Sequence, residues 1–541
     1  MNEVVRFGSA SGRWLLLASI LGSAIAGIDA TVVNVALPAI GEEFNAPFEV
    51  LQWTITAYTL TLAAFILLGG SLGDRYGRKR VFVIGVVWFA VASLLCGLAP
   101  NAGTLIAARA LQGIGGALLT PGSLAMIQAS FVWEDRARAI GAWSGLGGVA
   151  TAIGPFLGGW LVESVSWRWI FLINVPIAAV VVIISHRHVP ETRNPSATGA
   201  PDYLGGLLGA GALGGWTYAL IDIPTAGPLA APVVTAAAFG TVCIIAFFIT
   251  ESRLARPMLP LGIFAVRQFS ATNAVTFLIY GAFGGIFFLL VVHLQVVAGF
   301  SPLAAGIALL PVTVLMLLLS SRAGALSVRI GPRFPMAAGP AICAVAALMM
   351  LGIGEGASYW VDVLPSVVVL GLGLSLLVAP LTSTALSSVP DAQAGLASGV
   401  NNAVARAAGL LAIAVLPALA GLSGDAYTDP PVFAEGFRFA AMACAGVLAA
   451  AAVLAAVTIR NPALPEGADR SAQPESKAPM PTDATGAGTA DTSGAGAGRA
   501  AGAWTTGSAV TGAATLRHCA VDGPPAAVCA AVQELRHHPD D

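Results

Sequence analysis

Apolar residues in this chain come in runs of about 20, the length that crosses a bilayer as an α-helix. Such runs predict helices over 14–36, 50–72, 81–99, 104–126, 138–162, 168–186, 203–223, 230–250, 269–297, 303–326, 334–353, 361–388, 392–420 and 437–458, fourteen spans in all. The pattern is faintest in the Gly-rich 203–223 run and after 361, where Pro365 interrupts.

The polar stretches between the runs carry a second pattern. Arg6 and Arg13 precede the first span; Arg75, Arg78, Lys79 and Arg80 follow the second; Arg136 and Arg138 follow the fourth, and Arg187 and Arg193 the sixth. Arg253, Arg256 and Arg267 follow the eighth, and Arg329 and Arg333 the tenth. The alternate loops are nearly free of bases: 37–49 carries Glu42, Glu43 and Glu49, and 354–362 carries Glu355 and Asp362. Basic loops stay cytoplasmic, so both termini are expected there. An error in the span count would break the alternation, and only Arg438 disturbs it. Ala24-Ile25-Ala26 imitates a signal-peptidase site, but the apolar run continues to Leu37, so an uncleaved first helix is expected.

Composition fits lipid as solvent. Of 541 residues, 57% are apolar and 10% charged, against about 25% charged in soluble domains. A secreted or cytosolic enzyme, a disordered scaffold and a nucleic-acid binder are all excluded on that ground, and a net charge of −2 gives no surface for polyanions. Six scattered cysteines suggest neither a disulfide framework nor a metal site. No Gly-x-x-x-x-Gly-Lys-Ser/Thr is present, so ATP is not the expected energy source. No cofactor and no catalytic constellation are expected. Residues 461–541 are rich in Ala, Gly, Thr, Pro and Ser and read as a disordered cytoplasmic tail, with at most a short helix at Ala526–Leu535.

One loop recurs. Gly70-Ser-Leu-Gly-Asp-Arg-Tyr-Gly-Arg-Lys79 and Gly324-Ala-Leu-Ser-Val-Arg-Ile-Gly-Pro-Arg333 align Gly70 with Gly324, Leu72 with Leu326, Arg75 with Arg329, Gly77 with Gly331 and Lys79 with Arg333. A repeated six-helix bundle with two inserted spans accounts for the offset, and internal repeats are the architecture of secondary transporters. The expected organisation is a cytoplasmic N-terminus (1–13), an N-terminal bundle (14–186), a linker with two inserted helices (187–268), a C-terminal bundle (269–460) and the tail (461–541).

The first of these loops resembles the signature loop of the major facilitator superfamily. Leu105-Ile-Ala-Ala-Arg-Ala-Leu-Gln-Gly113 resembles its fourth-helix motif, and Gly154-Pro-Phe-Leu-Gly-Gly159 its fifth-helix antiporter motif. Asp29-Ala-Thr-Val-Val-Asn-Val-Ala-Leu-Pro38 and Trp167-Arg-Trp-Ile-Phe-Leu-Ile-Asn-Val-Pro176 are similar to the fourteen-helix drug:proton antiporter branch. Ala150 departs from the fifth-helix pattern, where a Gly is usual. The resemblance implies two six-helix bundles plus two inserted helices, all α, rocking about a central cavity.

Asp29 is the sharpest position, because a charge at the centre of a span costs roughly 2.5–3.5 kcal/mol on insertion scales. Counting 1.5 Å per residue places Asp29 roughly 12 Å below the outer surface, Arg109 roughly 9 Å and Gly154-Pro155 about 11 Å. They share one level. Asp29 is therefore the expected proton-coupling acid and Arg109 its modulator, the bland alternative being a static ion pair. Asn34, Tyr58, Gln112, Asn402 and Arg406 are expected around a substrate cavity, with Gln52 a further candidate. Each alone reads more readily as an interhelical hydrogen bond than as a substrate contact, and Arg406 either attracts acidic cargo or bonds to carbonyls. Gly70, Asp74, Arg75, Gly77, Arg78 and Lys79 form the gating loop, in which Asp74 is expected to latch onto a helix N-terminus of the other bundle. Gly154, Pro155, Gly158 and Gly159 are expected to seal the bundles together. His293 reads as interfacial.

These features predict a monomeric antiporter exporting a small lipophilic or cationic drug or antibiotic against protons, with membrane lipids as its other partners. A proton-coupled metabolite or amino-acid carrier of the same fold is the second reading, and a non-transporting membrane sensor the third.

Overall fold

The computed structural model describes residues 5–194, 201–254, 257–390 and 393–461, all within one compact unit. The tail from residue 462, with the helix expected at Ala526–Leu535, lies outside the described residues. Those residues form no β-strand, only one isolated bridge between Val5 and Phe131. They include fourteen stretches long and apolar enough to cross a membrane.

The N-terminal half contains α1 (Ala10–Phe44), α2 (Phe48–Tyr76), α3 (Arg78–Gly97), α4 (Ala102–Ser130), α5 (Trp133–Ser164), the single turn α6 (Trp169–Leu172) and α7 (Asn174–His188). Two inserted helices follow, α8 (Tyr203–Ala226) and α9 (Ala231–Arg253). The C-terminal half contains α10 (Arg267–Val296), the short α11 (Pro302–Ala308), α12 (Leu310–Ile330), α13 (Arg333–Met349), α14 (Leu364–Ser387), α15 (Ala394–Leu419) and α16 (Pro430–Thr458). The sixth and tenth spans are thus each interrupted near their start, and a π turn at Tyr359–Val363 leads into α14 before Pro365.

The two halves repeat one set of helix contacts. In the first, α1 packs on α5 and α7, α4 on α2 and α3, and α3 on α7. In the second, α10 packs on α15 and α16, α14 on α12 and α13, and α13 on α16. The loop repeat is structural as well. Gly77 ends α2 at φ +112°, Gly331 ends α12 at φ +85°, and only glycine adopts such angles without strain. The chain leaving each half's last helix then folds back onto that turn. Glu191 accepts hydrogen bonds from the Lys79 and Arg80 backbone N–H groups, both at 3.0 Å, and Asn461 Oδ1 accepts from the Arg333 N–H at 3.1 Å. The N-termini of α3 and α13 thereby gain partners for otherwise orphaned donors.

Lipid-facing surface is easily seen on α3, where Ile84, Val87, Trp88, Val91, Leu95 and Leu98 are exposed at helical spacing. The inserted pair α8–α9 packs mainly on itself, with α8 also meeting α2 and α15.

One end of the molecule carries Arg75–Arg80, Arg187, Arg329 and Arg333 and is called the basic face; the opposite, acidic face carries Glu42, Glu43, Glu49, Glu163 and Glu355. The apolar core differs between them. Towards the acidic face a single cluster joins Val32–Leu51 and Phe171 of the first half to Phe288, Met350 and Phe433 of the second. Towards the basic face the core divides into one cluster around Phe82 and Met126 and another around Phe269 and Val400. The described hydrogen bonds that cross between the halves follow the same division. Phe48 N donates to Gly424 O (2.7 Å), Tyr427 OH to Ala46 O (2.8 Å), Gly424 N to Glu49 (3.0 Å), Gln52 Nε2 to Ile413 O (2.7 Å) and Gln295 Nε2 to Val35 O (3.1 Å). The halves are joined at the acidic face.

Candidate functional site

Asp29 sits two turns before Pro38 on α1, where the run Val32–Leu37 buries the helix on all sides but one. Its carboxylate is wholly buried, and so are its neighbours Arg109 (1% exposed), Gln112, Ser93 and Asn174. Arg109 and Gln112 stand one turn apart on α4 and so present a single polar face to α1.

Both oxygens of the Asp29 carboxylate are held. Arg109 Nη1 donates to Asp29 Oδ2 (2.5 Å) and to Gln112 Oε1 (2.5 Å), while Arg109 Nε donates to Thr54 O (3.0 Å). Gln112 Nε2 donates to Asp29 Oδ1 (2.8 Å) and Ser93 Oγ (2.7 Å). Asn174 Nδ2, at the start of α7, reaches the same two oxygens at longer range, 3.5 and 3.3 Å. The guanidinium lies over the Tyr58 ring at 4.4 Å and the Phe171 ring at 5.6 Å, both geometries favourable to a cation. Five helices thus converge on one carboxylate.

This arrangement corrects two expectations. Gln112 does not line an open cavity; it is sequestered as a ligand of Asp29. Tyr58, 2% exposed, is likewise packed beneath the guanidinium. Gln112 reaches Ser93 of α3, and the Tyr58 ring meets Phe89 of α3 edge-on at 6.4 Å. Asn34 is half-buried on α1, and Asn402, also half-buried, donates to Ser398 O within its own helix at 3.2 Å. Gln52 ties α2 to α15 instead of facing cargo. Arg406 makes no hydrogen bond or ion pair among the described residues, and its Nε is buried.

The fifth-helix glycines sit at close approaches. A Cβ on Gly158 would press on Val32 (2.7 Å) of α1, and one on Gly159 on the backbone of Leu303 (2.5 Å) across the boundary between halves. Gly154 stands against Thr31, and Gly306 of α11 against the Pro155 carbonyl. The contact therefore joins α5 to both α1 and the C-terminal half.

In the gating loop, Asp74 does not reach the other half. Its carboxylate takes Arg78 Nε and Nη2 at 2.9 and 2.7 Å, a pair one turn apart on the same side. Lys79 donates to His186 O at 3.4 Å, and Arg75 stacks by Tyr76, its Nη1 unpartnered. Gly70 lies against Pro121 of α4. His293 is not interfacial: it is fully buried, bonded through Nε2 to Ile353 O (2.9 Å) and stacked on Phe437 (4.0 Å).

Sequence reasoning missed Ser93, Thr54 and Asn174, small polar residues within apolar runs, and it missed Arg322, a guanidinium exposed on α12. The only signal for the first three was isolated polarity inside a span; Arg322 was readable as an intramembrane charge.

Residues 19–413 match the Major Facilitator Superfamily. The chain is 34% identical to the methylenomycin A resistance protein of Bacillus subtilis (strain 168), over 82% of its own length and 94% of that protein's. It is also 34% identical to the puromycin resistance protein pur8 of Streptomyces alboniger, over 82% and 91%. In structure it resembles a bacterial homologue of the human lysosomal transporter Spinster, with a TM-score of 0.60, 17% identity and coverage of 83% and 97%. The chain belongs to the major facilitator superfamily.

Proposed function

We propose that this member of the superfamily exports a small, partly apolar drug or antibiotic across the plasma membrane, in exchange for protons. Export is supported by relatives named for resistance, which match over nearly their whole length. Coupling to protons rests on one observation: Asp29 is a carboxylate buried at mid-helix whose ion partner has other places to put its charge.

Those alternative partners give the exchange its physical route. Arg109 stays charged in any protein. When Asp29 takes up a proton, the guanidinium still has Thr54 O, Gln112 Oε1 and two ring faces, so it is not stranded. The ion pair is therefore able to part and re-form at modest cost, which a pair with no substitutes is not. Thr31, two residues along α1, donates to Ile28 O (3.0 Å) and adjoins Gly154 of α5, the helix that bridges to the other half. Tilting of the halves about the α5–α11 contact thus moves the helix that carries Asp29.

With basic loops cytoplasmic, the joined acidic face is the outer one and this conformation opens inward. Asp74 paired with Arg78 is then a released latch, free to engage the other bundle when the basic face closes. Arg75, Gly77 and Lys79 shape that loop.

Two measurements test the reading. Cells carrying the wild type are expected to tolerate members of a drug panel that cells carrying Asp29→Asn do not. In liposomes, cargo added to the wild-type protein is expected to drive proton movement; cargo flux without proton flux at every pH would remove the coupling.

A further inference from the structure

Gly399, Arg406 and Ile413 recur every seven residues on α15 and so occupy one stripe of that helix. Both outer members of the stripe are fixed against α2. A Cβ on Gly399 would meet Leu67 at 2.6 Å, and Ile413 O accepts from Gln52 Nε2 at 2.7 Å. Arg406, midway between them, therefore faces α2 across the boundary between the halves.

The guanidinium has nothing to neutralise it there. Its Nε is buried without an acceptor, and among the described residues it joins no ion pair. Asp29 is the one described acid lying outside the first or last two turns of the spans, and Arg109 already holds it. Asn402, one turn earlier on α15, is committed to Ser398 O, and the Tyr58 ring lies under the Arg109 guanidinium. Yet the side chain is only half-buried, so part of it remains accessible. A charge held this way at membrane depth is a site for a partner that comes and goes.

We infer that Arg406 is the anion-binding residue of the transport pathway, and that the cargo carries an ionised oxygen acid, a carboxylate or phenolate, on an apolar frame. The planar guanidinium suits such a group, offering two parallel N–H donors to the two oxygens of a carboxylate, or a charge-assisted hydrogen bond to the single oxygen of a phenolate. Calling this ligand cargo rests on the exporter reading; the existence of the site does not. The inference also reverses the preference for cations expected from the sequence, because the acid that would attract them is internally neutralised.

The test is equilibrium binding to the purified full-length protein with radiolabelled naphthalene-1-carboxylate, its neutral amide, and ethidium. The wild type is expected to bind the carboxylate at least tenfold more tightly than the amide. Arg406→Gln should abolish that preference, Arg406→Lys should retain part of it, and Arg322→Gln all of it. Equal binding of carboxylate and amide by the wild type overturns the inference, as does a preference that survives in Arg406→Gln. Should the Gln variant fail to fold, the wild-type preference and the Lys variant decide. Flux in proteoliposomes separates the two claims. Ethidium moved while the carboxylate is neither bound nor moved leaves an exporter without this site; carboxylate bound through Arg406 while no probe moves leaves the site and removes the exporter.

Discussion

The two halves share one plan of helix contacts and differ in how they treat charge. In the first, Arg109 and Gln112 of α4 hold both oxygens of the Asp29 carboxylate, with Thr54 O of α2, Ser93 of α3 and Asn174 of α7 closing around them. In the second, neutral contacts lie nearer the basic face, Asn401 donating to Asn273 (3.1 Å) and Thr276 (2.9 Å), and Arg406 is unpaired among the described residues. Repetition thus fixes the frame, whereas the chemistry is lopsided. The proposed proton carrier in one half and the proposed anion site in the other are separated by the boundary between the halves.

The sharpest way to break this contrast is to unbalance the satisfied half. Asp29→Ala leaves Arg109 charged and buried without its counter-ion, a change that costs up to about 3–5 kcal/mol in buried pairs, of which Thr54 O, Gln112 Oε1 and the two ring faces offset part. Thermal unfolding in detergent should register a large loss. The double variant Asp29→Leu with Arg109→Met should recover most of that stability while transporting nothing, since volume is kept and both charges go. If Asp29→Ala melts like the wild type, the pair is not the internally neutral unit described here. Arg406→Gln, by contrast, should not destabilise the fold, because no partner is left behind.

The next largest effect concerns the joint between the halves. A side chain at Gly306 has no room beside the Pro155 carbonyl, and overpacking of this kind costs about 1–3 kcal/mol. That penalty falls only on the conformation joined at the acidic face, so Gly306→Leu should shift the population about 5- to 150-fold towards the opposite opening. Spin labels at Val165 and Leu419, both exposed near that face, should move apart in the variant. An unchanged distance distribution would mean that the α5–α11 contact does not set the equilibrium.

These contrasts were unequally legible in the chain. Fourteen spans and the repeat followed from run length and from glycines that end helices with positive φ. The Asp29–Arg109 pairing was anticipated because depth along a helix is a count of residues, and two counts agreed. Rotation about the helix axis is not such a count. Gln112 and Tyr58 were placed at the right depth and on the wrong side, and Ser93 and Asn174 carried no period that marked them as ligands. His293 failed similarly: its depth near a helix end suggested an interface, but Phe433 and Phe437 of α16 cover it.

A smaller effect compares the two caps. Glu191 accepts from two backbone N–H groups at the start of α3, whereas Asn461 accepts from one at the start of α13. A lost helix cap typically costs about 1 kcal/mol, and Glu191 adds a negative charge beside the positive end of a helix dipole. Glu191→Ala should therefore destabilise more than Asn461→Ala, by a few tenths to about 1 kcal/mol. Local hydrogen exchange reads this better than global melting. The amides of Lys79 and Arg80 should both lose protection in Glu191→Ala, and that of Arg333 alone in Asn461→Ala. Equal losses in the two variants would mean that geometry, not charge, sets the strength of these caps, and the asymmetry between the halves would then be confined to their interiors.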